Sequence, residues 1–480
     1  MKRPVLDLPG FPDGLLEWGI LALVVLTPLP QASVAPWSIL AIELSVLALT
    51  GLYLWRPDPG LRSERLAAAL KWPRLLALGF FAYLVLQLVP WPTFLLRLLS
   101  PNTVALHSRY ALSPAPPAFL GLSLVPSETV RAGSELLAYV LLGFLVLKTF
   151  TTVKQVRRLF AVIIAMGAFE ALYGILELYA KNPRILFYAK QTSLDSVTGT
   201  FVNRNHLSGY LEMIIPLAVG LIVARLDLFS LSGLRWREKL LVVMDKGLLA
   251  SLPLALVAVV MGIAVVFSHS RSGIATMILT FVFFAGFAAL FKERGREQKR
   301  LIRLFVNGML LAVVLLSVAI GARSTLLRFS PDRVLHEGRT VIWTQTIQWI
   351  GRFPVFGTGL GTFDALVPGS EVEGTLIGYE HAHNEYLEYL MEVGLVGSAL
   401  LFGLVFFMLG RSLVAWQARP DPEVRGLVLG GAVSGLSVLF HGLTDFNTHI
   451  PANALLFSVV LAATMSLAFM KRRREKAERP

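Results

Sequence analysis

The run GLLASLPLALVAVVMGIAVVFS (Gly247–Ser268) is followed after four residues by GIATMILTFVFFAGFAALF (Gly273–Phe291), and neither contains Asp, Glu, Lys or Arg. Each approaches the roughly 20 residues that cross the hydrocarbon core of a bilayer. The intervening His269-Ser270-Arg271-Ser272 then reads as the hairpin between two membrane spans. Leu304–Gly321 and Asn453–Met470 are equally free of charge. The whole chain agrees: of 480 residues 55% are hydrophobic and only 16% charged, against roughly 25% charged in soluble domains. Its mean hydropathy is +0.66. A cytosolic globular enzyme is excluded, and an all-α integral membrane protein is expected. Cysteine is absent, which removes thiol catalysis, Cys-ligated zinc and disulfide scaffolds.

Apolar periodicity gives about 12 transmembrane helices, centred near residues 22, 45, 82, 141, 169, 216, 257, 282, 312, 398, 435 and 461. Lys2 and Arg3 before the apolar run Trp18–Leu29 imitate a secretory signal, but Asp7, Asp13 and Glu17 interrupt it, so a retained first span is expected. Twelve spans put both termini on one side. Loops on that side hold 31 of the 44 Lys and Arg residues and those opposite hold 13, a bias that places the termini in the cytoplasm. The same bias accounts for the net charge of +13 without nucleic acid, for which no motif is visible.

All eight histidines, His107, His206, His269, His336, His381, His383, His441 and His449, fall on outer loops or outer span ends. Histidine is the side chain best suited to proton transfer near neutral pH, so chemistry at the outer face is expected. The plainer alternative is that long outer loops hold more polar residues. The longest stretch without a span, 322–385, is outside, and Trp343, Ile347 and Ile350 give Arg339–Gly351 a helical period. Phe353-Pro-Val-Phe-Gly-Thr-Gly-Leu-Gly361 after it is a turn-rich break. The chain divides into spans 1–5 (1–194), spans 6–9 with outer arginine motifs (195–321), a large outer loop (322–385) and spans 10–12 with a basic tail (386–480).

Five constellations could carry chemistry. Gly199–His206 brings Arg204 to a helix start, which suits a phosphate, or equally an interfacial anchor. Ser268–Gly273 puts Arg271 in the tightest outer turn, against the charge bias. Glu337–Thr340 puts Arg339 at another helix N-terminus, where the macrodipole disfavours a cation unless an anion compensates. In Glu380–Gly397, Asn384 can cap the tenth span with His383 just before it. His381 and His383 are also spaced to hold a metal with Glu380 or Asp364, although no third histidine is near in sequence. Lastly His441 and Asp445 are four apart, a helix-face pair that reads first as structural. Inside the membrane, Glu170, Glu177 and Glu212 are functional candidates by position, lining a polar cavity or pairing with an outer arginine.

His383-Asn384-x-Tyr386-Leu387-x₄-Glu392-x-Gly394-x₂-Gly397 resembles the signature of the O-antigen ligase and O-antigen polymerase superfamily. Arg339…Trp343…Pro354…Gly357-x-Gly359, Val202–His206, Ser270–Gly273 and His441…Asp445 are similar to that family in order, over roughly residues 195–465. The resemblance implies a GT-C-type glycosyltransferase of the bacterial inner membrane, with its active site on the periplasmic face. It implies a glycan donor on undecaprenyl pyrophosphate, and no metal or other cofactor. His383 would be the catalytic base, and Arg204, Arg271 and Arg339 would hold the pyrophosphate. His206, His381, Asn384, His441, Asp445 and Glu177 are secondary candidates. The acceptor would be lipid A–core for a ligase, another lipid-linked glycan for a polymerase, or a protein hydroxyl. A transporter is the alternative outside the enzyme class, but it would show internal repeats and midplane polar residues, and no repeat is visible here.

Overall fold

The computed structural model describes residues 11–55, 64–110, 117–180, 183–225, 235, 237–238, 248–290, 296–320, 339–367, 370–372, 375–377, 379–419 and 421–470. His336, Glu337 and Gly338 of the third constellation and the basic tail lie outside the described residues.

A helix covers each of the twelve expected centres. In chain order they are α1 (Phe11–Leu26), α2 (Pro36–Trp55), α3 (Lys71–Leu88), α4 (Pro126–Thr149), α5 (Val153–Leu178) and α6 (Arg204–Arg225). Then follow α7 (Leu248–Phe267), α8 (Arg271–Ala289), α9 (Arg296–Ile320), α10 (Glu385–Gln417), α11 (Pro422–His441) and α12 (Pro451–Phe469). Among the described residues, eight helices are long and apolar enough to cross a membrane: α2, α4, α5, α6, α9, α10, α11 and α12. The apolar parts of α1, α7 and α8 are shorter, and α3 begins with Lys71 and Arg74. The protein is therefore a multi-pass, all-helical membrane protein. Among the described residues, the strands are two- and three-residue pairs in loops, such as Arg184–Ile185 against Tyr188–Ala189.

The helix α6 is the centre of the bundle, with 94% of its apolar window buried, against 22% for α2. It packs on α11 backbone to backbone. A Cβ on Gly220 would stand 2.5 Å from the carbonyl oxygen of Gly426, so only glycine allows this approach. Without a hydrophobic drive between helices in lipid, such close packing of small residues is what holds them together.

One feature positions the site. Helix α10 is broken at Gly394, which has φ 60° and ψ −168°, and the Phe353–Gly361 segment runs through the break. The amides of Leu395 and Val396 donate to the carbonyls of Pro354 and Val355 at 2.9 and 3.2 Å, while those of Thr358 and Gly359 donate to Met391 and Glu392 at 3.0 and 2.8 Å. The carbonyls left over are met from α3. Tyr83 donates to the oxygen of Phe356 at 2.6 Å or of Val393 at 2.9 Å, and Gln87 donates to that of Phe356 at 2.9 Å. A broken helix is tolerated in a membrane protein when protein groups satisfy its backbone, as here. The turn-rich break seen in the sequence is thus a strap that fixes the first two turns of α10 to the helix Arg339–Arg352 preceding it.

Candidate active site

The starts of α6, α8 and α10 and the end of α11, together with the helix Arg339–Arg352, gather around Asp445. This residue lies in the Gly442–Phe446 turn after α11 and its side chain is fully buried. Its Oδ1 is 3.1 Å from Nδ1 of His383. Its Oδ2 is 3.9 Å from a guanidinium nitrogen of Arg339 and 4.0 Å from Nε2 of His441. Burial alone would raise the Asp445 carboxyl, but the hydrogen bond from His383 and the surrounding positive charge hold it well below the usual carboxylate range. Asp445 is therefore a fixed anion joining residues from three distant segments of chain.

The backbone of His383 has φ 50°, a left-handed conformation uncommon for a residue with a Cβ. Neighbours on both sides hold it there. Asn384 caps α10, its Oδ1 accepting from the amides of Tyr386 and Leu387 at 3.1 Å, and its Nδ2 donates to the carbonyl of Leu443 at 2.9 Å. The amide of Glu385 donates to the Gly442 carbonyl at 2.8 Å. On the other side, the carbonyl of Ala382 accepts from the Trp343 indole at 2.9 Å, which ties this loop to the helix that begins with Arg339. With Nδ1 engaged by Asp445, His383 keeps Nε2 for an external partner, and its side chain is 26% exposed.

Beneath this pair, His441 Nδ1 is 2.9 Å from Glu212, whose other oxygen accepts from Ser208 at 3.1 Å. A Cβ on Gly273 would fall 1.8 Å from Ser208 Oγ, so the N-terminus of α8, which carries Arg271, is seated directly on this part of α6. Arg204 at the start of α6 donates to Ser196 at 3.4 Å, and Ser196 in turn meets Nδ1 of His269 at 3.2 Å. Arg204, Arg271 and Arg339 are each half-buried. The loop before Arg204 is anchored by the membrane carboxylates. Glu170 accepts from the amide and hydroxyl of Thr200 at 2.8 and 2.7 Å. Glu177 pairs with buried Lys190 at 2.9 Å, and Lys190 also donates to the Ser196 carbonyl at 2.8 Å. The partners of Glu170 and Glu177 thus include Thr200 for the first and Lys190 and Thr198 for the second.

His206, His381 and His383 all rest on the ring of Phe446, with centroids 4.7, 4.2 and 4.8 Å away. His381 turns away from His383 to Glu388, Nδ1 to Oε1 2.6 Å, while the second oxygen of Glu388 accepts from the Ala382 amide at 2.8 Å. His449 lies on the other side of that carboxylate, Nε2 to Oε1 3.4 Å, and its Nδ1 is 3.1 Å from Glu385. Burial would lower the His449 imidazole, but Glu388 and Glu385 outweigh it and raise it to about 10. The sequence pairing of His381 and His383 around one ion is therefore not the arrangement found. His449 stood out in the sequence only as one of the eight histidines, and Glu388, Tyr83, Gln87 and Phe446 did not. The i, i+3 spacing of Glu385 and Glu388 was the only signal, and it reads equally well as a capped helix start.

The fold and site define a multi-pass helical membrane protein with a histidine, carboxylate and arginine centre at one end of its bundle. Residues 256–402 match the family model for O-antigen ligase. The match supports the O-antigen ligase and polymerase superfamily and, with it, an enzyme of glycosyltransferase type. It spans Arg271, Arg339 and His383, whereas Arg204, His206, His441 and Asp445 lie outside it and join the centre through the fold. No curated protein matches the chain.

Proposed function

We propose that the protein transfers a glycan from undecaprenyl pyrophosphate to lipid A–core oligosaccharide at the periplasmic face of the bacterial inner membrane, as an O-antigen ligase of GT-C type. The observation that carries this reading is the His383–Asp445 pair at 3.1 Å, with the Arg339 guanidinium 3.9 Å from the same carboxylate. Nε2 of His383 takes the proton of the acceptor hydroxyl while its oxygen bonds to the anomeric carbon of the donor. The bond from that carbon to the pyrophosphate oxygen breaks, with inversion, and undecaprenyl pyrophosphate departs. Asp445 stabilises the imidazolium that forms. The charge that grows on the leaving phosphate is met by the guanidinium groups of Arg204, Arg271 and Arg339, fixed in place before reaction.

The donor's chain also has a place in this reading. An apolar cavity of about 460 Å³ is lined by α3, α4, α10, α11 and α12, from Arg74 and Lys148 at one end to Glu385, Tyr386 and Thr448 beside the site. We assign the polyprenyl chain to it.

The test is transfer in vitro with purified protein, undecaprenyl-pyrophosphate glycan and lipid A–core. A single addition to lipid A–core, lost in His383→Ala, is expected. Growth of the lipid-linked glycan without lipid A–core would make the protein a polymerase. Movement of the lipid across the bilayer with no product would discard the transferase reading.

A further inference from the structure

We infer that His381, Glu388 and His449 form a binding site for a divalent metal ion of the zinc class, beside the reacting centre and separate from it. One ligand atom each of His381, Glu388 and His449 lies within 4.8 Å of the others. Two neutral imidazoles and one carboxylate are a donor set that suits zinc, with a fourth position left open, and the ion would displace the proton that Glu388 and Glu385 otherwise favour on His449. Ligand atoms at about 2.0–2.1 Å in a tetrahedral shell stand about 3.3 Å apart. The Glu388–His449 distance of 3.4 Å already meets that spacing, and the 2.6 Å between His381 and Glu388 needs to widen by about 0.7 Å.

The surroundings are those of a built site. A metal-bound histidine almost always gives its other ring N–H to a carboxylate, which fixes the tautomer and the ring plane. For His449 the carboxylate at hand is Glu385, whose Oε2 is 3.1 Å from Nδ1 but does not accept a well-aligned hydrogen bond from it. Glu385 is itself held by the amide and hydroxyl of Thr448, at 2.5 and 2.6 Å. The non-ligating oxygen of Glu388 is likewise held, by the Ala382 amide at 2.8 Å. Glu388 and Glu385 are buried, while the side chains of His381 and His449 are 24% and 17% exposed, which gives an ion a way in. Glu392, one turn further along α10, adds a third buried carboxylate whose Oε2 has no hydrogen-bond partner.

Such an ion would join the start of α10, the loop before His383 and the turn after Asp445. Its role is to brace the segment two residues from His383, and the arginines keep the pyrophosphate.

The test uses full-length protein in detergent, freed of metal by chelation and titrated with zinc and, separately, with cobalt. Metal content is read by elemental analysis and the cobalt geometry by its visible absorption. Donor and acceptor are absent, so the result is independent of the transferase reading. One zinc per chain and a four-coordinate cobalt spectrum are expected. His381→Asn, Glu388→Gln and His449→Gln should each weaken uptake at least about 100-fold, and Glu385→Gln about 10- to 100-fold. His383→Ala and His107→Gln should bind as the parent does. Elution profile and melting temperature identify any variant that fails to fold, and the partly exposed His381 provides the variant least at risk. No stoichiometric uptake by the folded parent, or uptake unchanged in the three ligand variants, would overturn the site and leave a hydrogen-bonded ion network in its place.

Discussion

Replacing Asp445 with Asn keeps the shape of the site and removes one charge, which makes it the most direct trial of the proposed mechanism. In the parent, the buried carboxylate accepts from His383 at 3.1 Å and faces Arg339 and His441 at 3.9 and 4.0 Å. The amide can still accept from His383 Nδ1, so the ring stays oriented, but it offers no charge to the imidazolium formed when the acceptor loses its proton. A unit charge pair at 3 to 4 Å is worth about 4–5 kcal/mol at the effective dielectric suited to such sites. Retained dipolar attraction to the amide lowers the expected loss to about 3–4 kcal/mol, or about 10²–10³ in kcat. The assay is turnover of lipid-linked donor with saturating acceptor, with melting temperature measured alongside. KM for the donor should change little, because Asp445 carries no contact with the leaving group in this mechanism. His383→Ala combined with Asp445→Asn should be no slower than His383→Ala alone, since both act through one proton transfer. A folded Asp445→Asn variant within about threefold of the parent in kcat would refute the pair as the working base.

Two further outcomes follow from the same geometry. Gly394→Ala places a Cβ 2.4 Å from the Val355 carbonyl oxygen at φ 60°, so it should destabilise by about 2 kcal/mol or more, read as a lower melting temperature together with lost transfer. Because Asp445 is held below its ordinary value, its contribution to stability is complete above the unfolded carboxylate value of about 3.9 and is lost as pH falls through the lower folded value. The difference in melting temperature between the parent and Asp445→Asn should therefore not shrink from neutral pH down to about 5, and should shrink only in stronger acid; a difference that shrank between pH 8 and 6 would contradict the assignment.

The sequence by itself determined that the chain is a helical membrane protein and where its helices lie. Spans such as Gly247–Ser268 are decided locally, because an apolar helix satisfies its backbone hydrogen bonds within its own segment, as lipid-exposed backbone requires. The capping of α10 by Asn384 and the helix starting at Arg339 were legible for the same reason: each depends on residues within one turn. The arginines were singled out by their places at helix starts and in a tight turn, and His383 by the family resemblance. Tertiary structure alone decided which of them meet. Asp445 is 62 residues from His383 and 106 from Arg339, and no periodicity links positions that share neither a helix nor a turn. Their meeting depends on the break at Gly394, on the strap that Tyr83 and Gln87 hold through it, and on the glycine contact that presses α11 against α6. It also decided that His381 turns to Glu388 and His449 while His383 turns to Asp445. Those rings are two residues apart in the chain, but the left-handed backbone at His383 sends them to different carboxylates.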